Sequence, residues 1–163
     1  MSHSSQNIEI ERKFLVHADL WLHSAERKSA EQCLIMQGYV CSLPESTVRV
    51  RLRNEEAFLT IKGKTTGFSR SEYEYAIPPE DAKEILQSMC ASTIEKVRFV
   101  FRYGEFIWEI DEFSGLQAPL IMAEVELPNE ACTPSLPPFI MEEISHDLRY
   151  TNSRLSQHPY SQW

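Results

Sequence analysis

No run of about 18 apolar residues occurs anywhere in the 163-residue chain, so the sequence offers no membrane-spanning helix. The opening MSHSSQN has no basic start and no apolar segment after it, so no secretory signal is expected and the cytoplasm is the expected compartment. Paired cysteine motifs are missing too. Cys33, Cys41, Cys90 and Cys132 never form C-x-x-C and have no histidine at ligand spacing, which argues against a zinc site or a disulfide framework and leaves free thiols. A surplus of positive charge is also absent. With 16 Lys+Arg against 24 Asp+Glu the net charge is −8, the wrong sign for a surface that coats nucleic acid. No internal repeat and no low-complexity linker interrupts the chain, so residues 1–163 are read as one domain around one core.

What the sequence does contain is alternation with charge on one side. In Ile8 to Val16 (IEIERKFLV), Ile8, Ile10 and Phe14 point one way while Glu9, Glu11 and Lys13 point the other, successive same-side residues lying about 7 Å apart on an extended backbone. Carboxylates at that spacing suit a hard divalent cation, and the lysine suits an anion carried by it. Taken alone, the strand reads equally as half-exposed with a solvated face. Thr47 to Arg53 (TVRVRLR) repeats the pattern with Arg49, Arg51 and Arg53 on one face. Three like charges in a row repel unless an anion or facing carboxylates compensate them, and the planar guanidinium suits phosphate oxygens. Acidic neighbours in water would compensate them as well.

The remaining segments continue the theme. Leu34–Ser42, Ala57–Lys64, Arg70–Ile77, Ile94–Tyr103, Phe106–Phe113 and Leu120–Leu127 read as strands, with a hairpin loop at Thr65–Gly67. Helices are expected within Ala18–Gln32 and from Pro79 to about Cys90, where proline and two acidic residues suit a first turn. The stretch from Pro137 onward reads as one or two further helices broken near His146 and Asp147. Across the eight strands the charged faces gather ten of the 16 bases but only eight of the 24 acids. Bases concentrated on strand faces of an otherwise acidic protein are what an internal anion site requires. The fold class expected is therefore α+β: a closed eight-stranded antiparallel β-barrel, its charged faces inward and its apolar faces covered by flanking helices, the C-terminal ones included.

The ordered set IEIERKFLV, QGYV, TVRVRLR, LTIKGK, SRSEYEY, IEKVRF, EIDEF, AEVEL and HDLRYTN resembles the CYTH superfamily, the triphosphate tunnel metalloenzymes, over nearly the whole chain, and most closely the compact bacterial inorganic triphosphatases. The resemblance implies that Glu9, Glu11, Glu124 and Glu126, with Asp111, hold Mg2+ or Mn2+, two ions per site. It implies that Arg49, Arg51, Lys62, Arg70, Lys96 and Arg98 bind the triphosphate, with Arg53 and Lys64 as further bases of unassigned role. Lys13 matches the signature lysine and Tyr39 is similar to the tyrosine that partners it, the lysine acting as base or as phosphate ligand, and the segment around Asp147, Arg149 and Tyr150 resembles the C-terminal helix that closes one tunnel mouth. The expected reaction is metal-dependent hydrolysis of tripolyphosphate to diphosphate and phosphate. Thiamine or nucleoside triphosphate hydrolysis, cyclisation of ATP and silent binding of polyphosphate or triphosphate are the alternatives. The expected partner is a small-molecule triphosphate, with neither nucleic acid nor membrane, and outward apolar strand surface leaves room for a homodimer.

Overall fold

The computed structural model describes residues 10–43, 45–64, 71–129 and 131–163. Nine strands form one antiparallel sheet: β1 (Ile10–Val16), β2 (Glu31–Ser42), β3 (Ser46–Arg53), β4 (Glu56–Gly63), β5 (Glu72–Ile77), β6 (Thr93–Tyr103), β7 (Phe106–Phe113), β8 (Ile121–Leu127) and β9 (Ile140–Glu143). Their order is β5-β4-β3-β2-β6-β7-β8-β1-β9. Most neighbours are hairpins. The exceptions bring β2 beside β6 and β1 between β8 and β9, so that charged residues far apart in sequence become cross-strand partners: Glu11 lies opposite Glu126, and Lys13 opposite Glu124. Among the described residues no ladder joins β5 to β9. The sheet instead curls until inward side chains of β1 to β8 surround one cavity.

Hairpin chemistry explains two of the turns. Gly104 adopts φ 61° between β6 and β7, where the left-handed region costs glycine nothing. Asn54 adopts φ 53° between β3 and β4, and its Oδ1 accepts from the Leu34 amide at 2.9 Å, which offsets the strain of a side chain in that region.

The apolar faces point outward and are covered. Helices α1 (Ala18–His23) and α2 (Ala25–Ser29) deliver Trp21, fully buried against Phe99, Phe101 and Phe139. This cluster continues to Trp108, Ile110, Val125 and Phe14 on the outer faces of β7, β8 and β1. Trp21 Nε1 donates to Glu112 at 2.7 Å, and Arg27 donates to the same carboxylate at 2.6 Å while its guanidinium lies over Phe99. Helix α3 (Pro79–Ser88) lays Ala82 and Leu86 on Val50 and Ala57. It approaches β2 so closely that a Cβ at Gly38 would stand 2.8 Å from Cys90 Sγ, which is why the QGYV segment carries glycine there. The row Ile61, Tyr73 and Tyr75 on β4 and β5 stays exposed.

Two features differ from the sequence reading. Residues 140–143, read as part of a helix, form β9: Val16 pairs with Ile140 and Phe14 with Glu143, and the Ile144 amide donates to Lys13 O at 2.8 Å. The open edge of β1 offers backbone partners that a four-residue segment satisfies more readily by pairing than by coiling. The interior is also not charged throughout. Ile94, Phe113 and Met122, at inward positions, pack with Leu155 of helix α4 (Asn152–Gln157) and Tyr150 to plug one end. Gln117 Nε2 donates to Leu155 O at 2.8 Å and Ser92 Oγ to Ser156 O at 2.5 Å, tying the plug down. All four cysteines are free, and among the described residues no helix is long and apolar enough to cross a membrane.

Candidate active site

The cavity above this plug has a volume of about 510 Å³, and Ile107 is the single aliphatic residue among its described lining. Period two explains the composition: Glu11 and Lys13 of β1, Tyr39 of β2, Arg49 and Arg51 of β3, Lys62 of β4, Glu72 and Glu74 of β5, Arg98 of β6, Glu109 of β7, and Glu124 and Glu126 of β8 all occupy inward positions. Thr151, Asn152 and Ser153 at the start of α4 line its floor.

The wall made by β1, β6, β7 and β8 is a dense ionic network. Lys13 Nζ sits between Glu124 Oε1 at 2.6 Å and Glu11 Oε1 at 2.8 Å. Burial works against the charge on Lys13, but Glu124 and Glu11 outweigh it and hold the ammonium above the usual lysine range. The Arg98 guanidinium donates to Asp111 through Nε and Nη2, both at 2.7 Å, to Glu124 at 2.9 Å, and to Glu109. Lys96 Nζ reaches Asp111 Oδ2 at 2.5 Å and lies over the Phe113 ring. Burial alone would raise the Asp111 carboxyl; Lys96 and Arg98 overcome it and hold the group well below the usual carboxylate range. The Lys96 ammonium is pulled down to about 8 by the same burial, against the attraction of Asp111.

The wall made by β2 to β5 is more open. Arg49 Nη2 donates to Thr60 Oγ1 at 3.1 Å, whose hydroxyl donates to Glu74 at 2.8 Å. Lys62 pairs with Glu72 at 2.7 Å. Arg51 Nε donates to the Gln37 carbonyl oxygen at 3.1 Å.

Most of the expected site residues among the described ones therefore line one cavity, and four lie outside the lining. Asp111, expected on the metal side, is 1% exposed, and both its oxygens accept from Lys96 and Arg98 behind the cavity lining. Lys96, expected on substrate, is 1% exposed and stands behind the cavity wall as the counter-ion of Asp111. Arg53 and Lys64 share the faces of Arg51 and Lys62 but are exposed at strand ends, away from the lining. Glu9 and Arg70 lie outside the described residues, as does the Thr65–Gly67 loop. The sequence reading missed Gln37, Thr60 and Asn152. Gln37 and Thr60 shared an inward face with charged or aromatic residues already singled out, and that was the available signal.

Hard oxygen donors for a cation exist on the β1–β8 pair. Glu11 and Glu126 are directly opposed, a like-charge pairing that costs stability without a cation, and among the described residues Glu126 has no ion pair. The donor set, all carboxylate, fits a divalent ion of the Mg2+ or Mn2+ type. Within the described residues alone, no three acidic, histidine or cysteine side chains converge closely enough to hold one.

A curled antiparallel sheet, plugged at one end, around a cavity lined by interleaved acidic and basic side chains defines a tunnel protein. The chain belongs to the CYTH family, whose domain profile matches residues 7–160. It is 44% identical over 153 residues to an inorganic triphosphatase of Acetivibrio thermocellus, covering 93% of this chain and 95% of that protein. It is 33% identical over 155 residues to an inorganic triphosphatase of Nitrosomonas europaea, covering 91% and 96%. Its structure matches the crystal structure of the inorganic triphosphatase NE1496 with a TM-score of 0.68 at 28% identity, over 95% of this chain and 97% of that one.

Proposed function

We propose that the protein hydrolyses inorganic triphosphate to diphosphate and phosphate in a reaction that depends on Mg2+ or Mn2+. The observation that carries this reading is the cavity lining: cationic side chains from β1, β3, β4 and β6 face one space that, among the described residues, offers no apolar or aromatic platform for a nucleobase or thiamine beyond Ile107 and Tyr39. The activity of the two relatives supports the same substrate.

Phosphoryl transfer asks little covalent chemistry of a protein, so positioning and electrostatics do most of the catalysis. Arg49, Arg51 and Lys62 hold the anion from one wall, and Arg98 and Lys13 from the other. Lys13 acts as a phosphate ligand, the role its two ion pairs favour, and Tyr39 borders the same space. Glu11, Glu124 and Glu126, with Glu9, are the residues that would hold the cation, which supplies Lewis acidity and charge neutralisation to the phosphates. Asp111 stands behind these residues, where its contacts to Arg98 and Lys96 give it the role of fixing both bases.

The test is phosphate release from a panel of tripolyphosphate, ATP, GTP and thiamine triphosphate with Mg2+ and with Mn2+. Tripolyphosphate is expected to turn over fastest, and excess chelator to abolish turnover. Faster hydrolysis of an organic triphosphate, or full activity in chelator, would remove the proposal.

A further inference from the structure

Five described bases line the cavity, and four of them already have a carboxylate within ion-pair distance. Lys13 has Glu11 and Glu124, Lys62 has Glu72, Arg98 has three partners, and Arg49 has Glu74 at 3.6 Å. Arg51 is different. Among the described residues its one hydrogen bond runs from Nε to the Gln37 carbonyl oxygen at 3.1 Å, leaving both terminal nitrogens of the guanidinium without a partner. Gln37 is 0% exposed and directly opposite Arg51 in the β2–β3 register, and its own Nε2 is buried without a partner among the described residues. A buried amide that leaves a donor unsatisfied calls for a reason to be there.

We propose that Gln37 is a positioning residue that holds Arg51 through a neutral acceptor, so that the guanidinium is oriented and desolvated yet keeps its whole charge for the phosphate chain. An apolar residue at 37 would leave Arg51 Nε unsatisfied and its fork unfixed. A glutamate of the same shape would hold the fork equally well but cancel its charge before substrate arrives. The electrostatics agree: burial, reinforced by Arg49 and Arg98, pulls the Arg51 guanidinium down to about 10, a shift that Tyr39 and Asp111 oppose without cancelling. A triphosphate relieves that repulsion when it binds. Arg51 thus gives affinity that the pre-paired bases cannot, since each of those must first exchange a carboxylate for a phosphate.

This inference rests on the triphosphatase reading, and its test separates the two. In Gln37→Glu, KM for tripolyphosphate is expected to rise about 10-fold or more with kcat changed much less, because the lost interaction is made in the bound state as well as in the transition state. A merely structural hydrogen bond would be preserved by glutamate, so a wild-type KM in a folded Gln37→Glu protein overturns the proposal. Gln37→Met gives a second reading that needs no buried charge. It is expected to raise KM in the wild-type background and to change nothing further in an Arg51→Met background; equal effects in both backgrounds would also overturn it. Wild-type turnover measured alongside tests the hydrolase reading. Calorimetric binding of tripolyphosphate to wild type and the four variants keeps the Gln37 result decisive even if turnover is absent.

Discussion

Glu126→Ala is expected to lower tripolyphosphate turnover by about 100-fold or more while leaving thermal stability unchanged or slightly raised. The two directions come from one piece of geometry. Glu126 is exposed to the cavity and faces Glu11 across the β1–β8 ladder, so the folded protein carries two like charges directly opposed. Such pairs are unfavourable by roughly 0.2–1 kcal/mol, and truncation removes that cost. If the same pair holds the cation that neutralises the phosphates, its loss falls on the transition state. Glu11→Ala is expected to lower turnover similarly, without the gain in stability, because Glu11 also pairs with Lys13 at 2.8 Å. Steady-state kinetics and thermal melts of both variants check this. Turnover within about threefold of wild type in either would exclude that carboxylate from the metal site.

Asp111→Ala is expected to cost about 3–5 kcal/mol of stability, the largest such effect of any residue lining or backing the cavity. Asp111 is fully enclosed, and among the described residues it is the one carboxylate that contacts Lys96, so removal leaves a buried ammonium uncompensated and strips Arg98 of its bidentate partner. The pH dependence follows from the direction of the shift. The folded-state carboxyl is held below its unfolded value, so its contribution is complete above the ordinary carboxylate range of about 4 and is lost as pH falls toward the depressed folded value. Wild type should therefore lose stability on acidification below about pH 4 more steeply than Asp111→Ala, and the difference between them should shrink there. Urea melts at pH 7 and at pH 3 measure both. A variant within about 1 kcal/mol of wild type at pH 7 would mean that the buried pair contributes little net stability.

The sequence was most legible where charge and period two coincide. TVRVRLR and IEIERKFLV announce the inward face of β3 and β1 because an apolar alternative exists at every other position, and the curled sheet with its helical cover follows from that polarity. Alternation gives a side and not a depth. Arg53 shares its face with Arg51, and Lys64 with Lys62, yet both lie exposed at strand ends; Lys96 and Asp111 share their faces with Arg98 and Glu109, yet are sealed behind the wall. Pairing register, which the curl of the whole sheet sets, decides these cases, and no local pattern encodes it. The apolar plug escaped for the same reason: Ile94 and Met122 continue the inward faces of Lys96 and Glu124 but sit beneath α4. Residues 140–143 were too short for periodicity to separate strand from helix. Gln37 carried no charge to draw notice, although its place between Ile35 and Tyr39 put it on the inward face.

A crystal structure of the protein with Mn2+ and a non-hydrolysable tripolyphosphate analogue is expected to show an anomalous peak against Glu11 and Glu126, and a phosphate chain spanning from Arg49, Arg51 and Lys62 on one wall to Lys13 and Arg98 on the other. An analogue bound on the outer surface at Arg53 or Lys64, with no manganese beside Glu126, would contradict it.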